Sequence, residues 1–179
     1  MLIYLELISS ETEKNAFEEI YSTYRDLMFY VANRILAHER DAEDAVHNAF
    51  IKIAEHIEKI SDPVCPKTRA WVVIIVERQA INLYKKRKRQ WGLGLDEDQL
   101  EGELSSTPMD RLEEGNAVAR AIAALPVQYR EPILLKYDQG FDDREIGAML
   151  DLTPGTVAKR IQRGKRVLKE LLEGEGVEV

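Results

Sequence analysis

Cysteine is all but missing, with Cys65 the only one in 179 residues. A lone thiol excludes an internal disulfide framework and any multi-cysteine zinc site, and it suits a reducing, cytoplasmic setting. Long apolar runs are missing too. No stretch approaches the roughly 18 residues of a membrane span, so no membrane insertion is expected, and Met1 to Ile8 lacks the basic leader and cleavage site of a signal peptide. Histidine is scarce, and His38, His47 and His56 stand nine residues apart, which does not gather them into one compact ligand set. Asp44 and His47 have the spacing of a carboxylate-bridged metal site but lack the second pair and further carboxylates that such a site requires. Gly92 and Gly94 follow no strand and make no phosphate loop. The inventory offers no catalytic set, no metal site and no cofactor site, so an enzyme is not expected.

Basic charge is also short in total. Lys and Arg number 25 against 32 Asp and Glu, a net charge of −7 that on its face argues against nucleic acid as a partner. The distribution reverses that reading. Residues 1 to 62 hold 6 basic and 13 acidic side chains, residues 63 to 95 hold 8 and 1, residues 96 to 115 hold 1 and 8, and residues 116 to 179 hold 10 of each. Within the last block, Lys159, Arg160, Arg163, Lys165, Arg166 and Lys169 run without an intervening acid. Two basic patches therefore exist, each beside an acidic stretch.

What is present in quantity is helical patterning. Apolar residues make up 45% of the chain, enough for a packed core. Phe17, Ile20, Tyr21, Tyr24, Leu27, Met28, Val31 and Ile35 recur at helical steps and predict one long helix. Asp41 reads as the N-cap of a second, whose stripe Ala42, Ala45, Val46, Ala49, Phe50, Ile53, Ile57 and Ile60 ends at the break from Ser61 to Pro66. The run from Trp71 to Val76 would pass as a buried strand, but its pattern continues to Tyr84 with no turn residue before Gly92, and that length decides for a helix. Residues 92 to 115, rich in acid, glycine and serine, predict a linker. Beyond it come helices near Ala117 to Leu125, Tyr129 to Tyr137 and Asp143 to Leu150, then one that starts at Pro154 behind the cap Thr153. The expected fold is all-α, two small helical domains (13–91 and 112–172) joined by a flexible acidic linker (92–111).

The last two helices have the outline of a helix-turn-helix DNA reader. Gly147 is small enough to let the second helix cross closely, Asp151 sits at the turn where glycine is usual, and Val157 plugs the angle. Asp tolerates the left-handed conformation better than most residues. Thr153, Gly155, Thr156, Lys159 and Arg160 would face base edges, while Arg163, Lys165 and Arg166 would meet phosphates. The second patch, Lys85 to Arg89, closes a helix that also bears Arg69, Arg78, Asn82, Tyr84 and the flanking Trp71 and Trp91. Such a set can track a strand and stack on bases, although a basic helix end is also favoured by the helix dipole alone, and Trp71 reads as core.

Taken together, "FEEIYSTYRDLMFYVANRIL", "DAEDAVHNAFIKIAEHI", "RAWVVIIVERQAINLYKKRKR" and "ALPVQYREPILLKYDQGFDDREIGAMLDLTPGTVAKRIQRGKRVLKELL" make the chain resemble a bacterial sigma factor of the sigma-70 family, of the extracytoplasmic-function (ECF) type. The first two segments are similar to the start of region 2, the third to its promoter-melting helix, and the fourth to region 4. The resemblance implies transcription initiation in a bacterial cytoplasm, with core RNA polymerase and promoter DNA as partners and an anti-sigma factor as a further one. Region 2 would dock on the polymerase clamp helices through Asp41, Glu43, Asp44, Asn48 and Phe50. It would open the minus-10 element with Lys67, Arg69, Arg78, Asn82, Lys85, Lys86, Arg87 and Arg89, a flipped base entering near Ser61 to Arg69. Region 4 would bind the minus-35 element through Thr153, Gly155, Thr156, Lys159, Arg160, Arg163, Lys165 and Arg166, and the polymerase flap by its other face. The family's melting helix carries Asn, Asp and Arg where this chain has Arg78, Asn82 and Lys85, so the family's promoter sequence does not carry over. Pro132 falls within a region 4 helix and should kink it. The rival reading is a stand-alone helix-turn-helix repressor or activator, which must bind its operator unaided and usually as a symmetric dimer.

Overall fold

The computed structural model describes residues 1–92 and 117–174; the expected linker, apart from Gly92, and the first residues of the expected second domain lie outside them. The chain divides into two compact units, Met1–Glu97 and Asp98–Val179. Every regular element among the described residues is helical.

The first unit holds α1 (Leu2–Leu5), α2 (Glu11–Leu36), α3 (Glu39–Glu55), a 3₁₀ turn (Ile57–Lys59) and α4 (Pro66–Gln90). Helices α2, α3 and α4 pack pairwise as a bundle. Its centre is Phe17, Ile20 and Met28 of α2, Ala45, Phe50 and Ile53 of α3, and Trp71, Ile75 and Ile81 of α4, all of them buried. Every residue from Trp71 to Ile81 is buried, so α4 is enclosed over most of its circumference. A helix enclosed in that way needs no polar stripe, which is why its apolar run imitates a strand. Pro66 starts α4 in the first helical turn, where its missing N–H costs nothing.

The N-cap of α3 is His38, not Asp41: the His38 Nδ1 accepts from the Asp41 N–H at 3.3 Å. Asp41 lies in the first helical turn, where a carboxylate is favoured by the helix dipole. The turn α1 has no counterpart among the expected helices because one turn is too short to show a period. Tyr4 anchors it. Its ring lies 5.4–5.7 Å from those of Phe17, His47 and Phe50, and its hydroxyl is 2.7 Å from His47 Nδ1.

The second unit holds α5 (Ala117–Ala124), α6 (Val127–Ile133), α7 (Asp143–Leu150) and α8 (Pro154–Gly174). The kink expected at Pro132 takes the form of a widened turn: α6 passes into a π-helical stretch over Leu134–Asp138, where Gln139 N–H donates to Leu134 O. Proline withholds one donor from the helix ladder, and the wider turn that follows lets the chain continue. Asp142 and Glu145 close a reciprocal capping box at the start of α7. The turn into α8 puts Asp151 at φ 55°, ψ 45°, the left-handed conformation expected of it, and Leu152 N–H donates to Gly147 O at 2.9 Å. A Cβ on Gly147 would stand 2.6 Å from the Leu152 carbonyl oxygen, and one on Gly164 would stand 2.7 Å from Ile133 Cδ1. Val157 is fully buried in the angle between α7 and α8.

The two turn residues should respond in opposite directions. Gly147→Ala is expected to destabilise the second unit by about 1–3 kcal/mol through overpacking against backbone. Asp151→Gly should leave stability unchanged or raise it by a few tenths, because glycine takes the left-handed conformation without a Cβ penalty. Urea unfolding followed by a probe in the second unit measures both; equal losses would rule out this account of the turn.

Candidate nucleic-acid interface

Helix α4 changes character along its length. Its apolar first half is locked into the bundle, and its last turn carries Arg87, Lys88 and Arg89 towards water, where the negative end of the helix dipole favours cations. Lys86 and Arg89 are exposed, Asn82, Arg87 and Lys88 half-buried. Arg87 lies 5.3 Å from the Trp91 ring centroid, and Lys88 lies 5.3 Å from that of Tyr84. Trp91 is 63% exposed, so a flat aromatic surface flanked by cations faces solvent. Two expected DNA contacts are corrected. Arg78 is 1% exposed and Lys85 7%, which puts both inside the bundle rather than on a DNA-facing surface. The spacing explains it: Arg78 follows Trp71 by two turns and Lys85 follows Ile81 by one, so both share the buried face, their aliphatic stems packed in the bundle.

The loop before α4 is ordered by its own side chains. Thr68 Oγ1 donates to the Asp62 carbonyl at 2.6 Å, Val64 N–H to Asp62 Oδ1 at 3.1 Å, and Thr68 N–H to Cys65 Sγ at 3.4 Å, which makes the thiol the N-cap of α4. Tyr24 reaches the Cys65 carbonyl from α2 at 3.5 Å. The Thr68 hydrogen bonds pull the Cys65 thiol below its ordinary pKa, while burial pushes the Tyr24 phenol up. Lys67 and Arg69 stand exposed at the loop's edge.

On α3, Glu43, Asp44 and Asn48 form an exposed acidic face. Phe50 is corrected to a core residue: it is 1% exposed, against Tyr4, Phe17 and Tyr21, and offers nothing to an outside partner. Asp41 is paired with Arg87, a contact that joins two expected sites and that no sequence spacing discloses.

In the second unit, Thr153 caps α8: its Oγ1 accepts from the Thr156 N–H at 3.2 Å and lies 2.9 Å from the Thr156 hydroxyl. Thr153, Gly155, Lys159, Arg163, Lys165 and Arg166 are exposed, and Thr156 and Arg160 half-buried, so one helix presents a short polar start and a cationic flank. Tyr137, which the sequence does not single out, lies beneath Lys165 with Nζ 4.7 Å from its ring centroid. Lys136 hydrogen-bonds Asp143, and that contact raises its pKa.

Two family models match the chain in the expected order. Residues 20–90 match sigma-70 region 2 and residues 115–168 match sigma-70 region 4. The chain belongs to the sigma-70 family, in its ECF group. It is 29% identical over 171 residues to the ECF RNA polymerase sigma factor SigW of Bacillus subtilis, covering 89% of this chain and 90% of that protein. It is 26% identical over 175 residues to the ECF RNA polymerase sigma factor SigL of Mycobacterium tuberculosis, covering 94% of this chain and 96% of that protein. Among solved structures it is similar to the sigma factor RpoE of Bartonella quintana in complex with the anti-sigma factor NepR, at 20% identity and a TM-score of 0.39 over 88% of this chain and 96% of that chain. As an ECF sigma factor the chain directs transcription initiation through regions 2 and 4, and it is not an enzyme. No helix among the described residues is long and apolar enough to cross a membrane.

The region 2 loop supplies a test of its own. Thr68→Val removes the hydroxyl that lies 3.4 Å from Cys65 Sγ and keeps the backbone N–H, so the pH midpoint for alkylation of Cys65 by iodoacetamide should move upward, towards that of an ordinary thiol. An unchanged midpoint would show that the Thr68 hydroxyl does not lower the thiol's pKa and would leave the backbone N–H as the cause.

Proposed function

We propose that region 2, over 13–91, docks on the clamp helices of core RNA polymerase through Asp41, Glu43, Asp44 and Asn48 and melts the minus-10 element beside Lys67, Arg69, Asn82, Lys86, Arg87 and Arg89. Region 4, over 112–172, binds the minus-35 element through the start and basic flank of α8, its other face meeting the polymerase flap. The observation that carries this is that two helices, α4 and α8, each carry exposed cations, while α3, which precedes both in sequence, presents an exposed acidic face. The chemistry of the step is binding alone. Melted DNA is favoured because flexible single strands reach cations and aromatic rings that duplex DNA does not, with stacking contributing about 1–3 kcal/mol per base. The protein would act on the cytoplasmic side, where polymerase and promoters are, and an anti-sigma factor would compete for the same polymerase-binding surfaces.

Purified chain added to bacterial core polymerase should start transcripts at discrete promoters of genomic DNA; a chain that never associates with core overturns the reading, and tight, dimeric operator binding without core would favour a stand-alone regulator. Arg160→Ala should cost about 1–3 kcal/mol in minus-35 use, unevenly across promoter variants, if the guanidinium reads a base. Uniform loss would reassign it to a phosphate. Lys86→Ala should reduce the salt dependence of the open complex by roughly one phosphate contact, and an unaltered slope would remove Lys86 from the interface.

A further inference from the structure

The residue that region 2 would offer first to the polymerase and a residue it would offer to DNA are bonded to each other. Asp41, in the first turn of α3, and Arg87, in the last turn of α4, form an ion pair between elements 46 positions apart in sequence. Both side chains are partly withdrawn from water, at 18% and 32% exposure. On its other side the carboxylate faces His38, with Nδ1 3.5 Å from Asp41 Oδ1. Arg87 also leans on Trp91, at the rim of a groove of about 180 Å³ that opens between Ala37, His38, Tyr84, Lys88 and Trp91. The guanidinium therefore sits where two surfaces meet, with open space beside it.

We propose that this pair is a latch: in the free chain Asp41 withholds Arg87 from DNA, and docking of the polymerase on the acidic face of α3 draws Asp41 away and releases Arg87 to a promoter phosphate. The inference rests on the proposed assignment of α3 to the polymerase and the end of α4 to DNA. A guanidinium that already holds a carboxylate through Nη1 has its charge partly neutralised, and a phosphate must compete with an anion of its own sign for it. Partial burial keeps salt from screening that competition away. A polymerase surface complementary to Glu39, Asp41, Glu43 and Asp44 is basic, so it competes with Arg87 for one carboxylate. Linkage makes the effect mutual: whatever factor polymerase binding adds to DNA affinity through this pair, DNA binding adds to polymerase affinity.

The test is a double-mutant cycle on the full chain, read as anisotropy of a labelled mixed-sequence duplex across a salt series. Asp41→Asn should tighten DNA binding several-fold and steepen the logarithmic salt slope by about 0.9, the increment of one added phosphate contact. In an Arg87→Ala background the same substitution should change affinity less than about twofold. Asp44→Asn, which removes an exposed acid from the same helix, should give only a small gain that does not depend on Arg87. With core polymerase saturating, Asp41→Asn and the unaltered chain should converge to one salt slope. Equal gains in both Arg87 backgrounds overturn the latch, since loss of negative charge would then be enough. A gain that persists in full with core bound overturns release by polymerase. Core affinity measured separately keeps the two layers apart: if Asp41→Asn leaves it unchanged while the Arg87-dependent gain remains, the assignment of Asp41 to the polymerase fails and the ion pair's hold on Arg87 stands. Asp41→Ser supplies the same reading if Asp41→Asn lowers the melting temperature.

Discussion

Region 2 is organised around the burial of a single helix. From Trp71 to Ile81 every position of α4 is buried, against α2 and α3, so the helix has almost no freedom to rotate or slide. Close packing of that kind turns an apolar segment into a rigid mount. The mount has two ends. At one, Cys65, Asp62 and Thr68 tie the loop to the helix start; at the other, the helix emerges from the bundle and its last turn carries Arg87, Lys88 and Arg89. The same enclosure explains why Arg78 and Lys85 belong to the interior although their charge suggests otherwise. A cation's role here depends on which side of a helical turn it occupies, and composition carries no information about that.

Region 4 answers to a different constraint, the close approach of backbones at one corner. Gly147 lets the Leu152 carbonyl come within the space a Cβ would fill, Asp151 reverses the chain in a conformation few residues tolerate, and Val157 fills the angle. Gly164 repeats the device one helix on, against Ile133 and Tyr129. With both contacts in place, the direction of α8 is set by packing rather than by its own exposed face. That leaves Lys159, Arg163 and Arg166 exposed outside the packed contacts, with Lys165 lying over Tyr137.

Periodic and steric features were the legible part of the chain. The long stripes of α2 and α3, the length of α4, the turn at Gly147, Asp151 and Val157, and the cap Thr153 all follow from spacings that one helix imposes on its own residues. Three things escaped. A single turn such as α1 has no period to read, and Tyr4 docks through side-chain packing with Phe17, His47 and Phe50. The cap of α3 is a histidine ring nitrogen, where the usual hydroxyl or carboxylate preference points three residues too far along, to Asp41. The pairing of Asp41 with Arg87, like the stacking of Lys165 on Tyr137, joins elements that are distant or differently directed in sequence, and only the packed chain brings them together. The acidic linker lies outside the described residues and was legible only as composition.

The net charge of −7 acquires a physical meaning in this arrangement. Isolated DNA meets a chain whose acids outnumber its bases, so long-range attraction is weak, and whose Arg87 is already neutralised at short range by a neighbouring helix. Both effects act against binding by the free chain, and on the docking proposed above both would weaken as an outside basic surface takes up the acids of α3. Total charge and one buried-edge ion pair thus work in the same direction at different distances: the first is screened within about 10 Å at ordinary salt, and the second persists because it is partly shielded from solvent.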